Sequence, residues 1–140
     1  MRIAVEGARM GFSEARVGVA GGPSDNWLFP RYVPVGEAMY WLLTAEFMDA
    51  QEAYRIGLVH EVLPRERLIP RAEEIARRIA ENHPLAVRAI KQAVWLGLSQ
   101  SFEMSMRTTQ TLSQQVRASE DAVEARRAFA EKRAPQFRGR

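Results

Sequence analysis

Only a few short β-prone runs precede a long helical remainder, and this imbalance constrains the fold more than any other feature. Ile3-Ala4-Val5 is one such run and stops at Glu6-Gly7. Residues 9–12 form a second, and Leu58-Val59-His60-Glu61-Val62-Leu63, ending at Pro64, forms a third. Strands so few and so short do not build an independently stable sheet with buried faces. The chain is expected to borrow partners from other copies of itself or to be the C-terminal part of something larger. Its organisation is α/β, with residues 1–64 carrying the strands and residues 65–140 forming a helical region.

Local signals place the helices. Gly21-Gly22-Pro23 breaks the chain, and Pro23 suits the first turn of a helix, which Pro30 interrupts. Residues 36–44 are apolar on most sides (Ala38, Met39, Tyr40, Trp41, Leu42, Leu43), the pattern of a buried helix. Asp49-Ala50-Gln51-Glu52 reads as a capping box, with Asp49 as N-cap and Glu52 returning to it, and Gly57 reads as the glycine that ends that short helix. Leu68, Ala72, Ile75, Ala76 and Ile79 recur at helical spacing. Asn82-His83-Pro84 closes that helix, and Pro84 opens the next one, to about Leu98. A further helix runs from Ser101 to about Val116. The last is capped by Ser119, with Glu120 and Asp121 in its first turn and Lys132-Arg133 in its last, an order that complements the helix dipole.

Composition removes several function classes. The 140 residues contain no cysteine, so thiol catalysis, disulfides and thiolate metal sites are excluded. His60 and His83 lie far apart and lack the spacing of metal ligands, so no metal site is expected. The net charge of +3 comes from Arg scattered beside Glu and Asp, without a basic block or interleaved aromatics, and so argues against a nucleic-acid partner. No apolar run approaches a membrane span and the N-terminus shows no signal-peptide pattern, so the expected setting is cytoplasmic and off the membrane.

The segment richest in chemistry is Gly11-Phe12-Ser13-Glu14-Ala15-Arg16-Val17-Gly18-Val19-Ala20-Gly21-Gly22-Pro23. One carboxylate, Glu14, precedes a Gly-Gly pair that leads into a helix. A carboxylate can carry a proton, and a glycine turn can bring bare backbone N–H groups up to a small molecule. Taken alone, Glu14 reads as a solvated surface carboxylate and Gly22 as a turn glycine.

An ordered set of motifs resembles the crotonase superfamily, the enoyl-CoA hydratase/isomerase family. Arg2-Ile3-Ala4 and Ala8-Arg9-Met10-Gly11-Phe12 resemble that family's strand, followed by Glu14, Gly18 and Gly21-Gly22. Leu43-Thr44, Asp49-Ala50-Gln51-Glu52-Ala53, Gly57-Leu58-Val59, and Pro84-Leu85-Ala86 with Lys91 continue the series. The ending Ala128-Phe129-Ala130-Glu131-Lys132-Arg133-Ala134-Pro135-Gln136-Phe137-Arg138-Gly139-Arg140 matches the family's tail. The set covers essentially the whole chain. The resemblance implies the C-terminal part of a crotonase-like ββα spiral: residues 1–64 as the remainder of its core, and residues 65–140 as a helical oligomerisation region.

The resemblance also implies the chemistry. The substrate is an acyl-CoA thioester, so coenzyme A arrives as part of the substrate and no separate cofactor is needed. An oxyanion hole stabilises the enolate-like charge that develops on the thioester oxygen. Glu14 corresponds to the general acid/base that serves the α-carbon, and Gly22 to the glycine whose N–H helps place the catalytic water. Phe129 and Lys132, expected i, i+3 on one face of the last helix, correspond to residues that line a neighbouring subunit's acyl-CoA site, with Lys132 as a point charge toward the nucleotide. A homotrimer or a pair of trimers is implied. The oxyanion-hole donors and a first catalytic Glu correspond to a half that precedes this sequence, so the 140-residue chain alone is expected to be nearly inactive. Pro23 and Asp25 depart from the family's glycine-rich turn: Pro23 removes an N–H and Asp25 adds a charge. Hydration of a 2-enoyl-CoA is the leading reaction. The alternatives are double-bond isomerisation and a non-catalytic CoA-binding or oligomerisation fragment.

Overall fold

A computed structural model describes all 140 residues, Met1–Arg140. Its packing divides the chain into two units, Met1–Glu73 and Glu74–Arg140.

The first unit holds all the strands, each only three residues long. β1 (Ile3–Val5) runs parallel to β4 (Glu61–Leu63), with Ile3, Ala4 and Val5 opposite Glu61, Val62 and Leu63. β2 (Arg9–Gly11) runs antiparallel to β3 (Phe47–Asp49), with Met10 opposite Met48. The third β-prone run is thus a strand only in its second half. His60, in the bend before β4, extends the contact instead: its N–H donates to the Arg2 carbonyl at 2.8 Å, and the Arg2 N–H donates to His60 Nδ1 at 3.1 Å. Gly11 is needed where β2 meets β3, because a Cβ there would lie 2.8 Å from the Glu46 carbonyl oxygen.

Helices supply what the two small ladders cannot. α1 (Phe29–Tyr32), α2 (Val35–Thr44) and α3 (Ala50–Arg55) contribute half of a core built from Ala4, Phe29, Val33, Ala38, Trp41, Met48, Ala50, Ala53, Ile56 and Val59. α2 buries only Ala38 and Trp41, while Met39, Tyr40 and Leu43 are exposed. The expectation of a buried helix therefore holds for one stripe of α2 and fails for the rest. Asp49 caps α3 by accepting the Glu52 N–H at 2.8 Å. The reciprocal half of the capping box is replaced by an ion pair, because the Glu52 carboxylate is held by Arg55 at 2.6 Å. Gly57 follows in the left-handed conformation, φ 80°, as a helix-ending glycine should.

α4 (Arg65–Ala80) begins in the first unit and ends in the second. Pro70 lies inside it and leaves the Glu66 carbonyl without its usual donor. In the second unit, α5 (Pro84–Gly97) packs on α6 (Phe102–Arg117), and α6 contacts α7 (Glu120–Ala130). Each helix has a side-chain cap: His83 Nδ1 receives the Ala86 N–H at 3.5 Å, Ser101 Oγ that of Met104 at 3.3 Å, and Ser119 Oγ that of Ala122 at 3.1 Å. α7 stops at Ala130, two residues short of the expected basic last turn. The tail folds back on its start, where the buried Asp121 carboxylate accepts the N–H groups of Arg138 at 2.7 Å and Gly139 at 2.6 Å. No helix is long and apolar enough to cross a membrane.

Candidate functional site

Glu14 opens a single 3-10 turn, Glu14–Val17, that follows β2. Gly18, at φ 73°, lets the chain turn back so that its own N–H and that of Val19, at 3.0 Å, reach the Glu14 carbonyl. Two residues earlier, the Phe12 ring lies 4.6 Å from that of Phe29 at the start of α1, and α2 packs against the turn. The backbone of Glu14 is thus fixed from three sides. Its side chain is half-buried, and Oε2 is fully buried with no hydrogen-bond partner. Buried carboxylate oxygens are almost always paired. One that is not keeps its lone pairs available to a proton.

The glycine turn follows. Gly21 has φ 79°, a conformation that other residues rarely adopt. The Gly22 N–H donates to Asp25 Oδ2 at 2.8 Å, and Ser24 Oγ donates to Asp25 Oδ1 at 2.8 Å. The helix beyond opens as a wide π turn, Ser24–Leu28, closed by the Phe29 N–H on the Ser24 carbonyl. Pro30 explains the widening, since it has no N–H to give the Asn26 carbonyl. Asn26 Nδ2 donates back to the Ala20 carbonyl at 2.7 Å. Glu14 and the glycine turn therefore belong to one closed loop: Glu14 is bonded to Val19, and Asn26 to Ala20.

Phe129 and Lys132 belong to the second unit, and the expectation that they share a helical face is corrected. Phe129 lies in the last turn of α7 and is 87% exposed. Lys132 lies beyond the helix at φ 53°. The Lys132 N–H donates to the Phe129 carbonyl at 3.2 Å and the Arg133 N–H to the Ala128 carbonyl at 3.0 Å. This is the Schellman ending, with Lys132 where glycine is usual. Arg133 is pulled away by Glu124, with Nη1 to Oε1 at 2.6 Å, and by Glu131, with Nε to Oε2 at 2.6 Å. The Arg133 guanidinium, and then the Gln136 N–H, hold the Glu124 carboxyl down at about 2.

Sequence reasoning missed the roles of Asp121 and His83. Asp121 was legible only as a helix-dipole charge. Burial alone would raise its pKa, but the amides of Arg138 and Gly139, with His83 nearby, outweigh burial and hold it below the usual carboxylate range. Ser119, His83 and Asp121 invite comparison with a nucleophilic triad, but the hydrogen bonds say otherwise. Ser119 Oγ donates to the Val116 carbonyl at 2.7 Å, and His83 Nε2 lies 3.2 Å from the same oxygen while His83 Nδ1 caps α5. Both side chains are spent on helix ends. Among the aromatics, Trp41 is buried, while Trp27, Tyr40 and Phe47 are exposed. No group of three or more His, Asp or Glu side chains is placed to hold a metal ion.

The family model described as enoyl-CoA hydratase/isomerase matches residues 1–140. The chain is 39% identical over 139 residues to the (E)-benzylidenesuccinyl-CoA hydratase of Thauera aromatica, covering 99% of this chain and 54% of that protein. It is 36% identical over 136 residues to the crotonyl-CoA hydratase of Syntrophomonas wolfei, covering 97% and 52%. Among solved structures, the enoyl-CoA hydratase of Bacillus anthracis superposes with a TM-score of 0.96 at 34% identity, over 100% of this chain and 54% of that one. The enoyl-CoA hydratase of Mycobacterium tuberculosis gives 0.93 at 28% identity, over 99% and 55%. The chain spans about half the length of the curated relatives it matches.

Proposed function

The chain belongs to the enoyl-CoA hydratase/isomerase family, and on that premise we propose that it forms the Glu14-bearing half of a site that hydrates 2-enoyl-CoA thioesters. The observation that carries this reading is the buried, unpartnered Oε2 of Glu14. In hydration, a water oxygen bonds to the β-carbon and a proton bonds to the α-carbon, giving a 3-hydroxyacyl-CoA. Glu14 in its protonated form supplies the α-proton, and a second base on the same fold takes the proton that the water loses. A carboxyl group positioned in this way contributes roughly 10²–10⁴-fold to rate.

Phe129 and Lys132 extend the reading to the substrate's far end. The exposed Phe129 ring and the exposed Lys132 ammonium suit an adenine nucleotide, and both would serve a neighbouring copy. Ile90, Val94, Trp95, Leu98 and Phe102 are exposed in the second unit, and this much uncovered apolar surface supports a trimer or a pair of trimers. A cytoplasmic setting completes the reading.

A second reading has its own observation. The Gly22 N–H is taken by Asp25, whereas Glu14 Oε2 is free, and a lone base suits a double-bond shift that needs no water. The same Glu14 would remove an α-proton from a 3-enoyl-CoA and return it to the γ-carbon.

Product analysis tests both readings. A protein carrying both halves of the fold is expected to convert crotonyl-CoA to 3-hydroxybutyryl-CoA. Conversion of 3-enoyl-CoA to 2-enoyl-CoA without hydration establishes the second reading. Binding of acyl-CoA with neither reaction establishes a non-catalytic module.

A further inference from the structure

We propose that Asp25 competes with the reacting water for the Gly22 amide, and so sets how well the site holds an oxygen on the β-carbon. This inference rests on the acyl-CoA reading above and on the Gly22 amide as donor to the reacting water, the role that the family resemblance implies for it. A single N–H serves one acceptor well, and here that acceptor is Asp25 Oδ2 at 2.8 Å. The carboxylate is anchored rather than loose, because Ser24 Oγ holds its other oxygen at 2.8 Å.

The local sequence is shaped around this contact. A Cβ on Gly21 would lie 3.0 Å from Asp25 Oδ2, so glycine leaves the space in which the carboxylate sits. Pro23, the next residue, has no N–H to offer as a replacement donor. A water or hydroxyl oxygen arriving at the Gly22 amide must displace a charged acceptor. Bonds to charged acceptors are roughly twice as strong as neutral ones, so the incoming oxygen starts at a disadvantage. Glu14 is untouched by this competition, and its Oε2 stays free while the amide is occupied. Asp25 is thus a positioning residue, acting on water through Gly22 rather than on the acyl group itself.

The hydroxyl of 3-hydroxybutyryl-CoA occupies the place that the water oxygen takes in the reaction, and butyryl-CoA lacks it. The ratio of their dissociation constants therefore reports how available the amide is, without requiring turnover. A protein carrying both halves of the fold, with Glu14→Gln to block turnover, and the same protein with Asp25→Ala added are titrated with each ligand, and hydrogen exchange at the Gly22 amide is followed in both. Exchange is expected to accelerate in Asp25→Ala, and the preference for the hydroxylated ligand to rise about tenfold. Ser24→Ala, which keeps the charge but frees Oδ1, is expected to shift both in the same direction by less, and it carries the test if Asp25→Ala does not fold. Faster exchange with an unchanged or lowered preference overturns the proposal, because Gly22 then does not receive the hydroxyl or Asp25 holds it directly. Unchanged exchange overturns it as well. Failure to bind either ligand overturns the acyl-CoA reading on which the proposal stands, whatever the amide does.

Discussion

Asp121 Oδ2 accepts the Gly139 N–H at 2.6 Å, across 18 residues of sequence. The C-terminal tail is therefore part of the α7 structure rather than an appendage to it. The Asp121 N–H donates to the Arg140 carbonyl at 3.0 Å, Arg140 pairs with Glu120 at 3.0 Å, and Phe137 stacks 5.1 Å from the His83 ring, next to Ser119. Asp121→Ala removes the acceptor of two backbone donors. It is expected to lower Tm by about 5 °C and to abolish protection of the Arg138 and Gly139 amides. Retained protection would show that the tail is held by other contacts.

Acid sensitivity follows from the same region. Glu124 is depressed from an ordinary 4.5 to about 2 by Arg133 and the Gln136 amide. Asp121 also lies below its usual range, its tail amides and His83 outweighing burial. A carboxylate with a lowered folded pKa contributes stability above its unfolded pKa and loses it as pH falls through the folded one. The second unit should therefore lose stability between about pH 4.5 and about pH 2. Thermal melts across this window are expected to show the fall, and Glu124→Gln should remove part of it. Equal slopes in the two proteins would mean that Glu124 is not a source.

Lys132 holds a left-handed conformation, φ 53°, that costs a side chain with a Cβ. Lys132→Gly is expected to raise stability by about 1 kcal/mol in thermal or denaturant unfolding. The same change removes the ammonium and should weaken acyl-CoA binding. Opposite signs in stability and affinity would identify Lys132 as kept for its charge. A gain in stability with unchanged affinity would leave the lysine without a ligand role.

The sequence was most legible where structure is local. The caps at Asp49 and Ser119 and the left-handed Gly57 lie where short-range chemistry places them. The failures are equally physical. The run through Met39, Tyr40 and Leu43 is apolar on most sides, but only tertiary contacts decide which apolar stripe is covered, and that stripe is Ala38 and Trp41. Lys132 carries no local sign that it ends a helix, because glycine is the usual residue there. The charge on Asp25 was visible, but its capture of the Gly22 N–H depends on a side-chain direction that the order of residues does not reveal. Asp121 finds its partners in residues 138 and 139, beyond the reach of any helical pattern.

On the proposed function, Glu14 is the proton-carrying group of an acyl-CoA site. The most direct test of that role is crotonyl-CoA hydration by a protein carrying both halves of the fold, compared with its Glu14→Gln variant. The amide keeps the size of the side chain but cannot give up or take a proton in the same way. In Glu14→Gln, kcat is expected to fall by about 10²-fold or more while KM changes little. A Glu14→Gln protein that hydrates crotonyl-CoA at the unmodified rate would rule that role out.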